Sequence, residues 1–237
     1  MLEQPMSPVE LHQIRKDFGN RMVLADLSFV FDKNEVTAIL GKSGSGKSTL
    51  LKIINGMVKP DQGRVTLFGQ SIDYLHIQST RLQMGYVVQQ VGLFPHMDVQ
   101  SNINILGRVN HQQSPLNSSR VLQLMDMVEL PSTYLRKYPY ELSGGEQQRV
   151  GLCRAMFLNP PVLLMDEPFG SLDYETKRNI YKHLLAIQAK EPRTIILVTH
   201  DWDEAITLAD SFMWIKDGET KASGNRDALK ELKSELF

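Results

Sequence analysis

The chain has 237 residues, of which 42% are hydrophobic and 22% charged, as expected of a globular protein large enough to bury a substantial core. Its formal net charge of −1 gives no electrostatic reason to expect a nucleic-acid partner, and its single cysteine excludes an internal disulfide. No apolar run approaches the roughly 20 residues that cross a bilayer, and the N-terminus lacks the apolar segment of a signal peptide.

The first part of the chain is predicted to alternate strands with turns. The strand-like runs are VELHQI, VLADLSFVF, VTAIL and, further on, GRVTLFG. Turn residues separate them at 18–20, 32–34 and 61–63. VTAIL is predominantly apolar, which indicates a buried strand. It leads directly into a glycine-rich segment and then into a helix, TLLKIINGM.

The glycine-rich segment at 41–48 matches the phosphate-binding pattern G-x-x-x-x-G-K-[ST] in full. Glycines let successive backbone N–H groups turn towards phosphate oxygens, while Lys47 reaches the β- and γ-phosphates and the Ser48 hydroxyl binds Mg²⁺. The alternative, a Gly-Ser turn that matches by chance, is disfavoured because a predicted strand precedes the segment and a helix follows it. The candidate nucleotide-binding residues here are Gly41, Lys42, Ser43, Gly44, Ser45, Gly46, Lys47, Ser48 and Thr49.

From about residue 90 to residue 158 the pattern changes to helices. SSRVLQLMDMVEL has apolar residues at helical spacing and a serine cap at its start, and the preceding GRVNHQQSPLN is polar and loop-like. In LSGGEQQRVGLCRAM, Ser143 and Glu146 form a predicted capping box. Gly144 and Gly145 occupy the first turn, where alanine would be more favourable by about 1 kcal/mol each. Such a helix start can bind an anion, although the same residues could serve only as a cap.

The last part of the chain is predicted to alternate buried strands with helices. The strands are VLLMDEP and TIILVTHD, and the helices are YETKRNIYKHLLAIQAK and DEAITLAD. Strand–helix alternation with near-continuous apolar strands predicts an α/β fold with a mainly parallel sheet covered on both faces.

Acidic and imidazole side chains follow these two strands. Asp166 would complete the coordination of the metal, and its neighbour Glu167 would hold and deprotonate an attacking water. His200 ends its strand at the edge where ligands gather in open α/β sheets, which favours contact with a γ-phosphate. The alternatives are two solvated acids at a strand end and a histidine that makes only structural hydrogen bonds.

Together these motifs resemble the ATP-binding subunit of an ABC transporter, from about residue 9 to residue 224. LSGGEQQR is similar to the family's signature sequence. The other motifs follow the family's order, with Walker A at 41–48, a Q-loop at Gln89, Walker B at 162–167, a D-loop at 171–173 and the switch histidine His200. The resemblance implies a P-loop NTPase (RecA-like) core with a mainly parallel sheet, an N-terminal antiparallel β subdomain and an inserted α-helical subdomain.

The resemblance also implies where the parts of the chain begin and end. Residues 1–237 would form a single ABC ATPase domain. Its ATP-binding core, with the β subdomain, would span about 9–89 and 156–224. The helical subdomain with the signature motif would span about 90–155, and a short C-terminal helix would occupy 225–237.

Further site residues are implied by the family. Phe18, a phenylalanine where the family more often has tyrosine, would stack on adenine. Gln89 would contribute to metal binding and catalysis, and Asp173 of the D-loop to the nucleotide site. Two copies of the chain would pair head to tail around ATP and Mg²⁺. The signature residues 143–145 of each copy would then serve the γ-phosphate of the ATP held by the other copy's P-loop.

Three segments are similar to the corresponding segments of the ATPases of bacterial binding-protein-dependent importers, most of all to those of the osmoprotectant (quaternary-amine) branch. They are GYVVQQVGLFPHMDV, DEPFGSLD and THDWDEAITLAD. The resemblance implies ATP hydrolysis that powers uptake of a small solute, such as glycine betaine or choline, through integral membrane permease subunits. It places the chain at the cytoplasmic face of the inner membrane, with an extracytoplasmic solute-binding protein acting through the permease and no nucleic-acid partner. Many members of this branch carry a C-terminal pair of CBS modules; because this sequence ends at Phe237, we expect no regulation by such a tail.

In the family, the region between about Gln89 and Asn104 contacts the membrane subunits. The candidates for this contact are Phe94, Pro95, His96 and Met97, although Phe94 could instead be a core residue. Two other functions share these motifs. One is the ATPase of a lipid-trafficking or export complex, and the other is a soluble ABC ATPase that acts on nucleic acid or ribosomes. The second usually has two motif sets in one chain or a long coiled coil, and this sequence shows neither.

Overall fold

The computed structural model describes residues 7–88, 92–109, 116–170 and 172–236 of the chain. Its strands are β1 (Val9–Phe18), β2 (Arg21–Phe31), β3 (Val36–Leu40), β4 (Gln62–Leu67), β5 (Gln70–Ser71), β6 (Met84–Val87), β7 (Val162–Asp166), β8 (Thr194–Thr199), β9 (Ser211–Lys216) and β10 (Glu219–Asn225). Its helices are α1 (Lys47–Ile54), α2 (Ile77–Arg81), α3 (Val99–Val109), α4 (Leu116–Met127), α5 (Gly144–Met156), α6 (Tyr174–Lys190), α7 (Trp202–Leu208) and α8 (Arg226–Leu236). Two short 3₁₀ helices, Ser132–Arg136 and Pro139–Glu141, precede α5.

A six-stranded sheet in the order β10-β9-β3-β8-β7-β6 forms the centre of the fold. Its neighbouring strands are parallel except at the edge, where β10 is antiparallel to β9. Side chains of β3 alternate between two hydrophobic clusters, with Ala38 and Leu40 in one and Ile39 in the other. Because both faces of the sheet are covered, β3 is buried along its whole length, which explains its predominantly apolar sequence.

A second, antiparallel sheet in the order β2-β1-β4-β5 is built from the N-terminal part of the chain. Buried residues of β1, β2 and β4 share one hydrophobic cluster with α1 and with the central strands. The hairpin between β1 and β2 turns at Gly19, whose φ of +58° suits glycine, and it sets Phe18 opposite Arg21. The predicted fold class, a mainly parallel α/β core with an N-terminal antiparallel sheet and an inserted helical segment, is confirmed.

Helices α3, α4 and α5 lie between β6 and β7 in the chain and pack together through the other hydrophobic cluster. The prediction that GRVNHQQSPLN is a loop is wrong at 107–109, which belong to α3, and at 116–117, which belong to α4; residues 110–115 lie outside the described residues. Tertiary packing explains the extension of α3. A Cβ on Gly107 would lie only 2.6 Å from the Phe157 ring, so the glycine permits a close approach that holds this turn. The predicted serine cap is also wrong, because α4 begins at Leu116 and Ser118 therefore lies inside it.

After α7 the chain forms the β9–β10 hairpin and then α8. Helix α8 packs against α7 and this hairpin, with Leu229 fully buried. The division into core, helical subdomain and C-terminal helix, at about residues 89, 155 and 224, stays a prediction. Within the described ranges, no helix combines the length and the apolar character that crossing a membrane requires.

Candidate functional site

The carboxyl ends of β3, β8 and β7 meet at one edge of the central sheet. Leu40, the last residue of β3, is in register with Thr199, the last residue of β8. Asp166, at the end of β7, pairs with Val198 of β8. The segments that follow these strands, namely the loop 41–46, His200 and Glu167, therefore begin at the same edge. Ligands bind at such an edge in open α/β sheets. The fold thus brings the loop 41–46 together with Glu167 and His200, which lie more than a hundred positions later in the sequence.

Two glycines allow the loop 41–46 to pass close to its neighbours. Gly46 has a φ of +101°, and a Cβ there would lie 2.5 Å from the Leu24 side chain. A Cβ on Gly41 would collide with the backbone oxygen of Ile215. The outer side of the loop is exposed at Lys42, Ser43 and Gly44. The loop is therefore wedged between the antiparallel sheet and β9 while its outer side stays accessible.

Lys47 places its ammonium group inside the curve of this loop. Its Nζ donates to the carbonyl oxygens of Gly41 at 2.7 Å and Lys42 at 3.0 Å, and the residue is only 4% exposed. Burial lowers the pKa of Lys47 below its ordinary value, and the carboxylates of Glu167 and Asp166 oppose this shift. The nearby Ser45 Oγ is buried and has no hydrogen-bond partner among the described residues. A cation and an unused hydroxyl inside a backbone loop fit the oxygens of a polyphosphate.

Ser48 and Asp166 form a pair of hard oxygen ligands beside the loop. The Ser48 hydroxyl donates to Asp166 Oδ1 at 2.9 Å, although the residues are 118 positions apart. Burial raises the pKa of Asp166; the Ser48 hydrogen bond opposes this effect and the neighbouring Glu167 adds to it. Among the described residues, no cluster of three or more His, Cys, Asp or Glu side chains could hold a metal by itself. The pair instead fits Mg²⁺, which proteins often bind with one or two side chains plus substrate phosphates and water.

Glu167 and His200 are joined across the same edge. His200 Nδ1 and Glu167 Oε2 are hydrogen-bonded at 3.2 Å, with the Glu167 side chain 18% exposed and the His200 side chain 57% exposed. The backbone of Glu167 has a φ of +44°, and its N–H donates to the Val198 carbonyl at 3.0 Å. A left-handed conformation is unusual for glutamate and needs such support from its surroundings. The pair is thus an accessible carboxylate, oriented by an imidazole, that could accept a proton from water.

The start of α5 carries the predicted capping box. The Ser143 hydroxyl accepts the Glu146 N–H at 3.3 Å, and the Glu146 carboxylate accepts the Ser143 N–H at 2.7 Å, so this prediction is confirmed. The two glycines differ. A Cβ on Gly145 would lie 2.9 Å from the Thr176 side chain, whereas one on Gly144 would meet nothing within 4 Å. The described residues show no hydrogen bond between this helix start and the phosphate loop of the same chain.

Phe18 projects from the end of β1 and is 51% exposed, as a stacking platform must be. Its position is supported from one side. Lys16 Nζ lies 5.3 Å from the ring centroid and is also bound to Asp61 Oδ1 at 2.9 Å. The other Asp61 oxygen accepts the Asp17 N–H at 2.7 Å, which fixes the strand just before the ring.

The remaining predicted site residues lie at the starts of two helices or outside the described residues. Asp173 caps α6, since its carboxylate accepts the Thr176 N–H at 3.0 Å and the Thr176 hydroxyl at 2.7 Å. These bonds hold the pKa of Asp173 below its usual value. Thr49 lies in the first turn of α1, next to Ser48. Gln89 of the predicted Q-loop and Ser171 of the predicted D-loop lie outside the described residues.

An apolar groove lies between the core and the helical segment. It has a volume of about 550 Å³ and is lined by residues that include Met57, Leu82, Tyr86, Phe94, Ile105 and Leu158. Phe94 is 40% exposed, so it is not a core residue. The fully buried Asn102 fixes the turn at 94–97, because its side chain binds the N–H and carbonyl of Phe94 and the carbonyl of Met97.

Sequence reasoning missed three residues around the site. The exposed Arg21 reaches the phosphate loop, where its Nη2 lies 3.9 Å from the Cβ position of Gly44. Tyr181 and Glu204 form a buried hydrogen bond behind Glu167 and His200. One signal could have found Glu204. It lies four residues before Leu208, so a glutamate occupies the apolar stripe of a short helix.

A comparison with protein families matches residues 24–170 to the family described as ABC transporter. Among curated proteins, the chain is 38% identical over 222 residues to the glycine betaine/carnitine/choline transport ATP-binding protein OpuCA of Bacillus subtilis. This match covers 93% of the chain and 58% of that protein. The chain is also 40% identical over 217 residues to the glycine betaine uptake system ATP-binding protein YehX of Escherichia coli, covering 92% of the chain and 70% of YehX.

A similar solved structure is the ATP-binding cassette MJ0796, a dimer in a post-hydrolysis state bound to ADP and Pi. It shares 30% sequence identity with the chain and superposes with a TM-score of 0.83. The match covers 92% of this chain and 98% of MJ0796. The likeness therefore extends over nearly the whole chain.

Proposed function

The chain belongs to the ABC transporter family, and from that premise we propose that it is the ATP-binding, ATP-hydrolysing subunit of a solute importer. One observation carries this proposal: a phosphate cradle and an oriented carboxylate share one sheet edge, while the start of α5 stays open towards solvent. The chain spans only 58% of OpuCA, so activity, substrate and partners are inferred from the site and from similarity.

ATP binding is proposed to use residues from both sheets. Phe18 stacks on adenine, Lys47 and Arg21 face the phosphates, and the backbone N–H groups of 41–46 surround them. Ser48, Asp166 and Gln89 would hold Mg²⁺, which neutralises charge on the phosphates when bound. The short Ser48–Asp166 distance and the Lys47 contacts support this assignment.

Hydrolysis is proposed to depend on Glu167 as the general base. Its carboxylate would hold the attacking water in line with the γ-phosphate and take its proton. His200, which hydrogen-bonds to the carboxylate, would orient it and also contact the γ-phosphate. The Glu167 N–H bond to the Val198 carbonyl anchors this residue beside His200, which supports a carboxylate held in place at the sheet edge.

Each ATP site is proposed to be completed by a second copy of the chain. Ser143, Gly144 and Gly145 would meet the γ-phosphate held by the partner's loop, with Asp173 and the D-loop nearby. The space around Gly144 supports this arrangement, and MJ0796 is described as a dimer bound to ADP and Pi.

This model predicts complementation between two inactive variants. Ser143→Arg removes the donor array of both sites in its homodimer, and Lys47→Ala removes both phosphate loops. Mixed dimers should regain about one working site, because one intact loop then faces one intact α5 start. ATPase activity of equal mixtures measures this effect.

Two controls accompany these mixtures. Chains that carry both substitutions should show no ATPase activity, and Ser118→Arg, at an exposed position of α4, should be active without a second variant. Mixtures that never regain activity would contradict completion by the partner.

The importer is proposed to act at the cytoplasmic face of the inner membrane, with the groove beside Phe94 receiving a cytoplasmic helix of a separate permease. The apolar lining and the turn at 94–97 held by Asn102 support a docking surface. The names of OpuCA and YehX support a quaternary-amine osmoprotectant, such as glycine betaine or choline, delivered by an extracytoplasmic solute-binding protein.

Copurification tests this function. Tagged Glu167→Gln protein is isolated with ATP from detergent-solubilised native membranes, and we expect a polytopic permease with a solute-binding protein. That binding protein is then titrated with glycine betaine, carnitine, choline and amino acids.

The same experiment tests the groove. When Phe94→Glu is added to the tagged protein, the permease should no longer copurify. Leu75→Glu is the control, because Leu75 is 89% exposed and lies outside the groove lining, and the permease should still copurify with it. A membrane partner without a binding protein would indicate export or lipid traffic. Soluble partners alone would contradict a transport function.

A further inference from the structure

Tyr181 in α6 contacts both segments that lead away from the site. Its hydroxyl donates to Glu204 Oε2 at 3.1 Å, and its ring meets the Phe169 ring edge-to-face with centroids 5.1 Å apart. Phe169 is 1% exposed, Glu204 3% and Tyr181 9%, so these contacts are inside the protein. None of the three was predicted from the sequence as a functional residue.

The contact with Phe169 leads back to Glu167. Phe169 follows Glu167 by two residues, and the turn between them is closed by the Gly170 N–H, which donates to the Glu167 carbonyl at 3.3 Å. The position of the Phe169 ring therefore constrains the segment in which Glu167 adopts its left-handed backbone.

The contact with Glu204 leads back to His200. Glu204 lies in the first turn of α7, and Asp201 caps this turn by accepting the N–H groups of Asp203 at 2.9 Å and Glu204 at 3.2 Å. The Asp201 N–H in turn donates to Thr199 Oγ1 at 3.0 Å. His200 lies between Thr199 and Asp201 in the chain, and its hydrogen bond to Glu167 connects this segment to the one that contains Phe169.

We propose that Tyr181 and Glu204 are positioning residues that hold Glu167 and His200 in the arrangement required for hydrolysis, an inference that rests on the proposed ATPase function. They act through Phe169 and α7 and do not touch the nucleotide. A displacement of about 1 Å at a catalytic group can lower a rate by up to about 10²-fold. Loss of the buried Tyr181–Glu204 hydrogen bond can therefore have a large effect on the rate of hydrolysis.

The chemistry of the pair argues against a purely stabilising role. Burial raises the pKa of Glu204 to about 7, while the Tyr181 hydrogen bond opposes that shift. The Thr199 side chain, next to His200, also hydrogen-bonds to the Glu204 carboxyl and lowers its pKa. The nearest charged groups on adjoining elements are Asp201, which precedes α7, and Lys177 of α6, whose Nζ lies 3.8 Å from Asp201. A buried carboxyl generally contributes less to the stability of a fold than a leucine of similar volume, which indicates that its hydrogen bonds are kept for position.

Tyr181→Phe tests the proposal because it removes only the hydroxyl and keeps the ring against Phe169. We expect kcat for ATP hydrolysis, counted per bound ATP, to fall about 10-fold while KM stays within about twofold. Glu204→Leu should lose at least as much, since it removes the hydrogen bonds to both Tyr181 and Thr199, and the double variant should lose no more than Glu204→Leu alone. Glu204→Gln keeps an acceptor for the hydroxyl and should recover most of the rate lost in Glu204→Leu.

Tyr74→Phe is the matched control, because the Tyr74 hydroxyl is buried and has no hydrogen-bond partner among the described residues. Its kcat should equal that of the wild type. A Tyr181→Phe protein with wild-type kcat would overturn the positioning role alone, and so would additive losses in the double variant. A wild-type chain that binds ATP without hydrolysing it would overturn the ATPase function together with this inference. Should Tyr181→Phe not fold, Glu204→Leu and Glu204→Gln provide the same comparison.

Discussion

Replacing Glu167 by glutamine is expected to lower ATP hydrolysis by about 10²- to 10⁴-fold, the usual contribution of a general base. Glutamine has the same shape and can still hydrogen-bond to His200, but its amide cannot take a proton from water. ATP should therefore bind normally and remain uncleaved. Phosphate release measures the first effect, and nucleotide retention after gel filtration measures the second.

The same variant should form an ATP-stabilised dimer. Contacts to the γ-phosphate would hold the two copies together, and only cleavage would release them. Light scattering with and without Mg-ATP distinguishes monomer from dimer. Glu231→Gln, an identical change at an exposed position of α8, should hydrolyse ATP like the wild type. A Glu167→Gln protein that stays monomeric at saturating Mg-ATP would rule out the two-copy site.

Replacing Lys47 by alanine is expected to abolish measurable ATP binding. The ammonium group is held in place by the carbonyls of Gly41 and Lys42, so it would meet the phosphates without first being ordered. Two charge-assisted hydrogen bonds contribute about 3 kcal/mol or more, which corresponds to about 100-fold or more in affinity. Equilibrium titration with a fluorescent ATP analogue measures the loss.

A second lysine, outside the site, gives the control for this prediction. Lys59 is exposed beyond the end of α1, and Lys59→Ala should change ATP affinity little while removing the same charge. Thermal unfolding of both variants shows whether either loses the fold. Undiminished ATP affinity in Lys47→Ala would mean that residues 41–48 are not the phosphate-binding loop.

The features that could be predicted from the sequence are those encoded within one short segment. The loop 41–48 is specified by glycines at fixed spacing between an apolar strand and a helix, and the capping box at Ser143 by two residues three positions apart. Asp166 and His200 were found because each follows a run of buried residues, and parallel strands bring such ends to a common edge.

The features that could not be predicted depend on contacts between distant segments. The extension of α3 through Gly107 reflects the Phe157 ring just beyond the end of α5, which no pattern within GRVNHQQSPLN encodes. Arg21 reaches the phosphate loop only because the β1–β2 hairpin lies over it. Tyr181 reads as an ordinary residue of an amphipathic helix, and its partner Glu204 is 23 positions away. In each case the role of the residue depends on a contact with a residue that is distant in the sequence.

The contrast between Gly144 and Gly145 has a genetic consequence. A side chain at Gly145 would press on Thr176 of its own chain, so such alleles should reduce the amount of folded protein and behave as recessive. A Cβ at Gly144 meets nothing within 4 Å, so a subunit with alanine there should fold, accumulate and assemble with wild-type copies. Each mixed assembly would then contain one spoiled site and one intact site, so alleles at Gly144 should lower the activity of wild-type copies too and behave as partially dominant. Two adjacent, chemically identical residues would thus belong to different classes of inheritance.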